Sequence, residues 1–117
     1  MTPREFVHQL LTVAPGFEPV YREHLADNDE LLPHVLMGDF TTWFVKQYRA
    51  RRRLRNGAEL RRMITFLEEA FSAGDPDTEN VIAVSFLENL DRAGTSYEGI
   101  KRLLGPRLRE QLRELEG

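Results

Sequence analysis

Cysteine is absent from this chain of 117 residues. That excludes disulfides, thiolate metal sites and a cysteine nucleophile together. Long apolar runs are absent as well. The longest, VIAVSFL at 81–87, has seven residues, against the roughly 18 that a membrane-spanning helix needs. The opening stretch MTPREFVHQLLTVAPGFEP does not read as a signal peptide, because Glu5, His8 and Gln9 interrupt its apolar residues. No glycine-rich loop has phosphate-cradling spacing, and Ser72, Ser85 and Ser96 lack the glycine flanks of a nucleophile elbow. The histidines number three, all near the N-terminus, and they form no triad. These absences point to a cytoplasmic chain with no membrane contact and no cofactor, a binding protein rather than an enzyme.

What is present is ordinary globular material: 41% hydrophobic and 30% charged residues, somewhat more charge than the average domain carries. The length suits one core, so residues 1–117 are expected to form a single helical domain. Thr2, Pro3 and Glu5 make a capping box before a first helix, in which Phe6, Leu10 and Val13 recur at helical spacing. Ala14, Pro15 and Gly16 end it. A second helix is expected from about Glu18 to Ala26 with Val20, Tyr21 and Leu25 inward, broken by Asp27, Asn28 and Asp29. The third begins in 31–37 and carries Phe40, Trp43, Phe44 and Tyr48. Gly38 and Asp39 within it signal either a kink or a stop and restart.

Asn56 and Gly57 form the next turn. Beyond it Leu60, Met63, Ile64, Leu67, Ala70 and Phe71 hold the i, i+3, i+4, i+7 pattern of an amphipathic helix. Asp75 then caps a helix at 76–92 that is apolar nearly all round, as a central helix is. Thr95 and Glu98 have capping-box spacing before another helix. After Gly105 and Pro106, Leu108, Leu112 and Leu115 mark a last one. The expected fold is all-α, a compact bundle of five to seven helices around 76–92. Its core draws on Phe40, Trp43, Phe44, Phe66, Leu67, Phe71, Ile82, Phe86 and Leu90.

Candidate chemistry is sparse. Glu5 and His8 have the Glu-x-x-His spacing of di-iron bundles, which require a second such pair that this chain lacks. His24, Glu30 and His34, with Asp27 and Asp39, are of metal-ligand type, but their spacing is loose. The preferred account of them is an acidic turn between helices with two solvated histidines, and no metal site is assigned. Ser85, Glu88 and Asn89 on the apolar central helix read as a buried hydrogen-bond network that fixes register.

The strongest signal is charge. Half of the 16 basic residues (Lys46, Arg49, Arg51, Arg52, Arg53, Arg55, Arg61 and Arg62) fall in 46–62, opposed there only by Glu59. The 38 residues from 63 to 100 hold eight acids against Arg92 alone. Lys46, Arg49 and Arg53 lie on one helical face at i, i+3 and i+7, with Arg52 beside them. Such a run either binds phosphates or an acidic protein, or is a solvated face salt-bridged by neighbouring acids.

The blocks LLPHVLMGDF at 31–40 and VSFLENL at 84–90 resemble a bacterial family of small helical domains of unknown function. In size and acidic character the chain also resembles the immunity proteins of bacterial toxin systems. The second resemblance implies a protein partner and assigns no residues. The expected function is therefore a protein-binding module, of the immunity type on that second resemblance, with nucleic-acid or phosphate binding through Lys46, Arg49, Arg52 and Arg53 as the alternative and a metal-dependent enzyme last.

Overall fold

Aromatic side chains on one face of a single helix organise the interior. A computed structural model describes residues 1–117, and in it Phe40 is the hub. Its ring meets Phe17 edge-on at 5.2 Å between centroids, and lies 5.8 Å from Trp43, 6.0 Å from Phe44 and 5.9 Å from Phe86. Phe44 and Phe86 meet edge to face at 5.7 Å. The four phenylalanines belong to one continuous core of 26 buried hydrophobic residues. The radius of gyration, 13.3 Å, matches the roughly 13 Å of a close-packed globule of this length.

The chain is all-α. α1 (Pro3–Val13) opens with the expected capping box: Thr2 Oγ1 accepts from the Glu5 amide at 3.2 Å, and Glu5 Oε1 accepts from the Thr2 amide. A short 3₁₀ turn leads to α2 (Glu18–Asn28), which ends on Asp29 in the left-handed conformation, φ 59°. α3 (Pro33–Arg49) runs unbroken through Gly38, so that glycine neither kinks nor stops it. A single turn, α4 (Arg51–Leu54), links it to α5 (Gly57–Ala73). α6 (Pro76–Ile82) is capped by Asp75, whose carboxylate accepts from the Thr78 amide at 2.9 Å. α7 (Tyr97–Leu103) and α8 (Pro106–Glu116) complete the bundle. No helix is long and apolar enough to cross a membrane.

The segment 76–96 is central, touching α1, α3, α5, α7 and α8, but it is not the regular helix expected. After α6 it widens into a π turn, Ala83–Leu87, then tightens into a 3₁₀ stretch, Glu88–Ser96, that kinks at Gly94 (φ 60°). Side chains sustain the irregularity. The Ser85 carbonyl accepts from the Asn89 side-chain amide at 2.8 Å and shares the Thr41 hydroxyl proton, at 3.0 Å, with the Met37 carbonyl, donors that a widened turn needs for its displaced carbonyls. Val84 consequently faces outward, 42% exposed. The expected Thr95–Glu98 box does not form: α7 starts one residue later, with Ser96 at the cap and no side-chain bond.

Within the predicted core, Phe40, Phe44, Leu67, Ile82, Phe86 and Leu90 are buried, whereas Trp43, Phe66 and Phe71 are partly exposed and pack on its edge. On α2 the order is inverted: Val20, Tyr21 and Leu25 are half-buried and His24 is the buried residue. On α8, Leu108 and Leu112 are buried but Leu115 is exposed.

Two close approaches join the periphery to this frame. The Glu68 carboxylate of α5 accepts from the amides of Arg107 and Leu108 at 2.6 and 3.2 Å, capping α8 from another helix. Gly105 admits it, since a Cβ there would lie 2.5 Å from Glu68 Cδ. At Gly99 of α7 a Cβ would fall 1.8 Å from the Tyr48 hydroxyl oxygen and 2.8 Å from its ring carbon. Alanine there gains up to about 1 kcal/mol of helix propensity, but it must displace a ring 9% exposed. Gly99→Ala should therefore destabilise the fold by about 2 kcal/mol net, read as a drop in thermal midpoint. In a Tyr48→Leu background the same change should become neutral or stabilising, because the clash is gone.

The far end of α8 is held by charge. Glu116 accepts from the Tyr97 hydroxyl at 2.5 Å and from Lys101 at 3.1 Å. The Tyr97 bond first, then Lys101, holds the Glu116 carboxyl below its usual value of 4.5. Burial, followed by that carboxylate, raises the phenol of Tyr97. A depressed folded-state value means the tether is intact above pH 4.5 and is lost as pH falls through the lowered value. Protection of the α8 amides, taken relative to their intrinsic exchange rates, should fall across that acid window, and Glu116→Gln should lower it at neutral pH.

Candidate functional site

The basic window folds into a corner. α3 and the single turn α4 both end with basic residues near their free carbonyls, Lys46 and Arg49 in one and Arg51, Arg52 and Arg53 in the other, an arrangement that the helix dipole favours. Arg55 then takes the left-handed conformation, φ 54°, and reverses the chain into α5. Asn56, nearly buried, ties the reversal back to α3 through the Gln47 side chain at 3.3 Å.

The corner's residues divide by what they touch. Arg51 lies flat over the Tyr48 ring, 4.1 Å from its centroid, and donates to the Tyr48 carbonyl at 3.0 Å. Arg49 crosses to the 3₁₀ stretch, donating to the Ala93 carbonyl at 2.7 Å and to the Ser96 hydroxyl at 3.2 Å. Arg52, Arg53 and Arg55 are exposed, with Leu54 among them 51% exposed. None of the eight basic residues of the window forms an ion pair: the two in the molecule are Arg22–Glu18 and Lys101–Glu116. The expectation of a salt-bridged face is thus corrected. No carboxylate stands within ion-pair distance of the corner's arginines.

The four residues predicted as one patch do not all line one cleft. Lys46 and Arg49 line a cleft of about 350 Å³ between α3 and the 3₁₀ stretch, facing Asn89 and Arg92, with Gly38 and Asp39 at its other end. Arg52 and Arg53 do not border it. A second hollow, about 320 Å³, lies on the opposite flank of α3 against α2, where His24, Asp27 and Trp43 contribute. Asp39, Thr42 and Lys46 border both hollows and form the ridge between them.

The metal candidates do not converge. His24 is 3% exposed; its Nε2 accepts from the Leu32 amide at 3.0 Å, and its carbonyl accepts from the Asn28 side-chain amide at 2.8 Å. It is a structural joint between α2 and α3 and not the solvated histidine expected. His34 sits with Nδ1 2.7 Å from the Ser85 hydroxyl. Glu30 is exposed and meets neither. Glu5 is occupied in its capping box, and no group of three His, Asp or Glu residues is placed to hold a metal ion. The buried network read from Ser85, Glu88 and Asn89 has its first and last members, joined by Thr41, while Glu88 faces outward.

Arg92 and Leu54 escaped the sequence reading as site residues. Arg92 is the lone base in an acid-rich stretch, and its three-residue offset from Asn89 was the available sign that both face one way. Leu54 gave no sign, since its exposure depends on how α4 turns.

No curated protein and no solved structure matches the chain. Residues 7–117 match the family model described as a domain of unknown function, DUF7674, and the chain belongs to that family.

Proposed function

We propose that the protein is a cytoplasmic binding module that docks on an acidic protein surface through the corner at 51–55. The observation that carries this reading is the set of arginines without ion pairs around an exposed leucine. Arginine recognises carboxylates through a planar fork, and it is enriched at protein interfaces together with apolar anchors. Arg51 is already ordered on Tyr48, which reduces the entropy lost on docking. Inhibition of a toxin, the role of the immunity proteins that the chain resembles in size and character, falls within this reading. The alternative, a nucleic-acid backbone on the same arginines, is supported by the run of charge alone and makes no use of Leu54.

Immobilised protein and an Arg52→Glu/Arg53→Glu variant, exposed to lysate of the source organism with and without nuclease, separate the two. The expected result is one protein retained at near-equal stoichiometry, indifferent to nuclease. The double variant and Leu54→Ser should each weaken its affinity at least tenfold, about 1.4 kcal/mol. Retention that vanishes with nuclease and falls steeply with salt would establish the phosphate-backbone reading instead.

A further inference from the structure

The cleft between α3 and the 3₁₀ stretch has a chemistry of its own, independent of the corner. Its volume, about 350 Å³, falls at the lower end of the roughly 300–1,000 Å³ of small-molecule sites. Three cationic side chains from two elements border it, Lys46 and Arg49 from α3 and Arg92 from the facing stretch, and none has an ion-pair partner. Arg49 is fixed in place: its Nε donates to the Ser96 hydroxyl and its Nη2 to the Ala93 carbonyl, while Nη1 has no protein partner. A guanidinium held on one edge with its other donors free is pre-organised for an anion.

We infer that this cleft binds a small phosphate monoester whose organic half carries hydroxyl groups. Three cations approaching from two sides suit a tetrahedral dianion, which accepts from several directions. A planar carboxylate is satisfied by one arginine fork. The far end of the cleft specifies the other half of the ligand. Asp39 there repels a second anion and accepts from a hydroxyl. The Asn89 Nδ2 is engaged by the Ser85 carbonyl, which leaves its carboxamide oxygen as another acceptor. Thr41 and Thr42 add hydroxyls to the lining, beside the apolar Val45 and Ala93.

Titration calorimetry with ribose 5-phosphate, inorganic phosphate, ribose and succinate tests the assignment. Ribose 5-phosphate should bind one per chain and more tightly than inorganic phosphate, with ribose and succinate giving no saturable heat. Lys46→Ala and Arg92→Ala, both at exposed positions, should weaken it at least tenfold each with unchanged thermal midpoints. Asp39→Ala should narrow the preference for ribose 5-phosphate over inorganic phosphate. Arg52→Ala/Arg53→Ala should alter the affinity less than twofold, so a failure here and a failure of the docking corner are read on different residues. The inference is overturned by any of three results: no saturable binding at millimolar ligand, succinate binding as well as the ester, or an equal loss from the Arg52/Arg53 variant.

Discussion

Everything outside the core follows from how α3 is clamped. Phe40 and Phe44 are fully buried against Phe86 of the π turn and Phe17 before α2. Burial of a phenylalanine contributes roughly 1.5–3 kcal/mol, and each well-placed aromatic pair about 0.5–1.5 kcal/mol more. With that face committed, the rotation of α3 about its axis is fixed. Asp39, Thr42, Lys46 and Arg49, spaced at three, four and three, must then lie along the opposite stripe. Both hollows and the arginine corner are consequences of this one orientation.

The π turn is the other half of the clamp. Inserting an extra residue per turn at 83–87 brings the buried Phe86 to Phe40 and Phe44 while Ser85 faces Thr41 and His34. Apolar and polar contacts thus alternate on adjacent residues, which a straight helix resting one stripe on α3 does not achieve. The widened turn costs backbone hydrogen bonding, offset by the Thr41 and Asn89 side chains on the Ser85 carbonyl. The same bonds hold Asn89 at the cleft, so the irregularity that packs the core also furnishes a polar wall for the surface.

How much of this was legible depended on range. α1 and α5 were readable because their signals are local: a capping box at Thr2 and Glu5, and an apolar stripe from Leu60 to Ala70 that any packing partner would bury. The unbroken passage through Gly38 was not, since its retention depends on contacts of both neighbouring turns with the core. The π and 3₁₀ geometry of 83–96 hinges on donors from α3, more than 40 residues away, and leaves no periodicity to read. His24 looked solvated because its partner is a backbone amide eight residues on, invisible in side-chain patterns. The basic patch was found as a composition and misjudged as a surface. Spacing placed Arg53 with Lys46 and Arg49, but the chain leaves α3 after Arg49, so Arg53 turns away on α4.

The arginines differ in whether the fold itself explains them. Lys46, Arg49 and Arg51 lie near helix C-termini, where positive charge is favourable, and the latter two also have hydrogen bonds or a ring to rest on. Arg52 and Arg53 share only the weak dipole of a single turn and repel one another across adjacent positions. Arg55 adds a cost of its own, since a left-handed backbone disfavours a side chain by about 1–2 kcal/mol relative to glycine. Salt screens such repulsion only beyond about 8–10 Å, so neighbouring guanidinium groups feel it in any physiological buffer. No ion pair within the chain offsets these costs. The fold neither needs nor pairs these charges, and that is the physical ground for proposing a docked acidic protein as their counterpart.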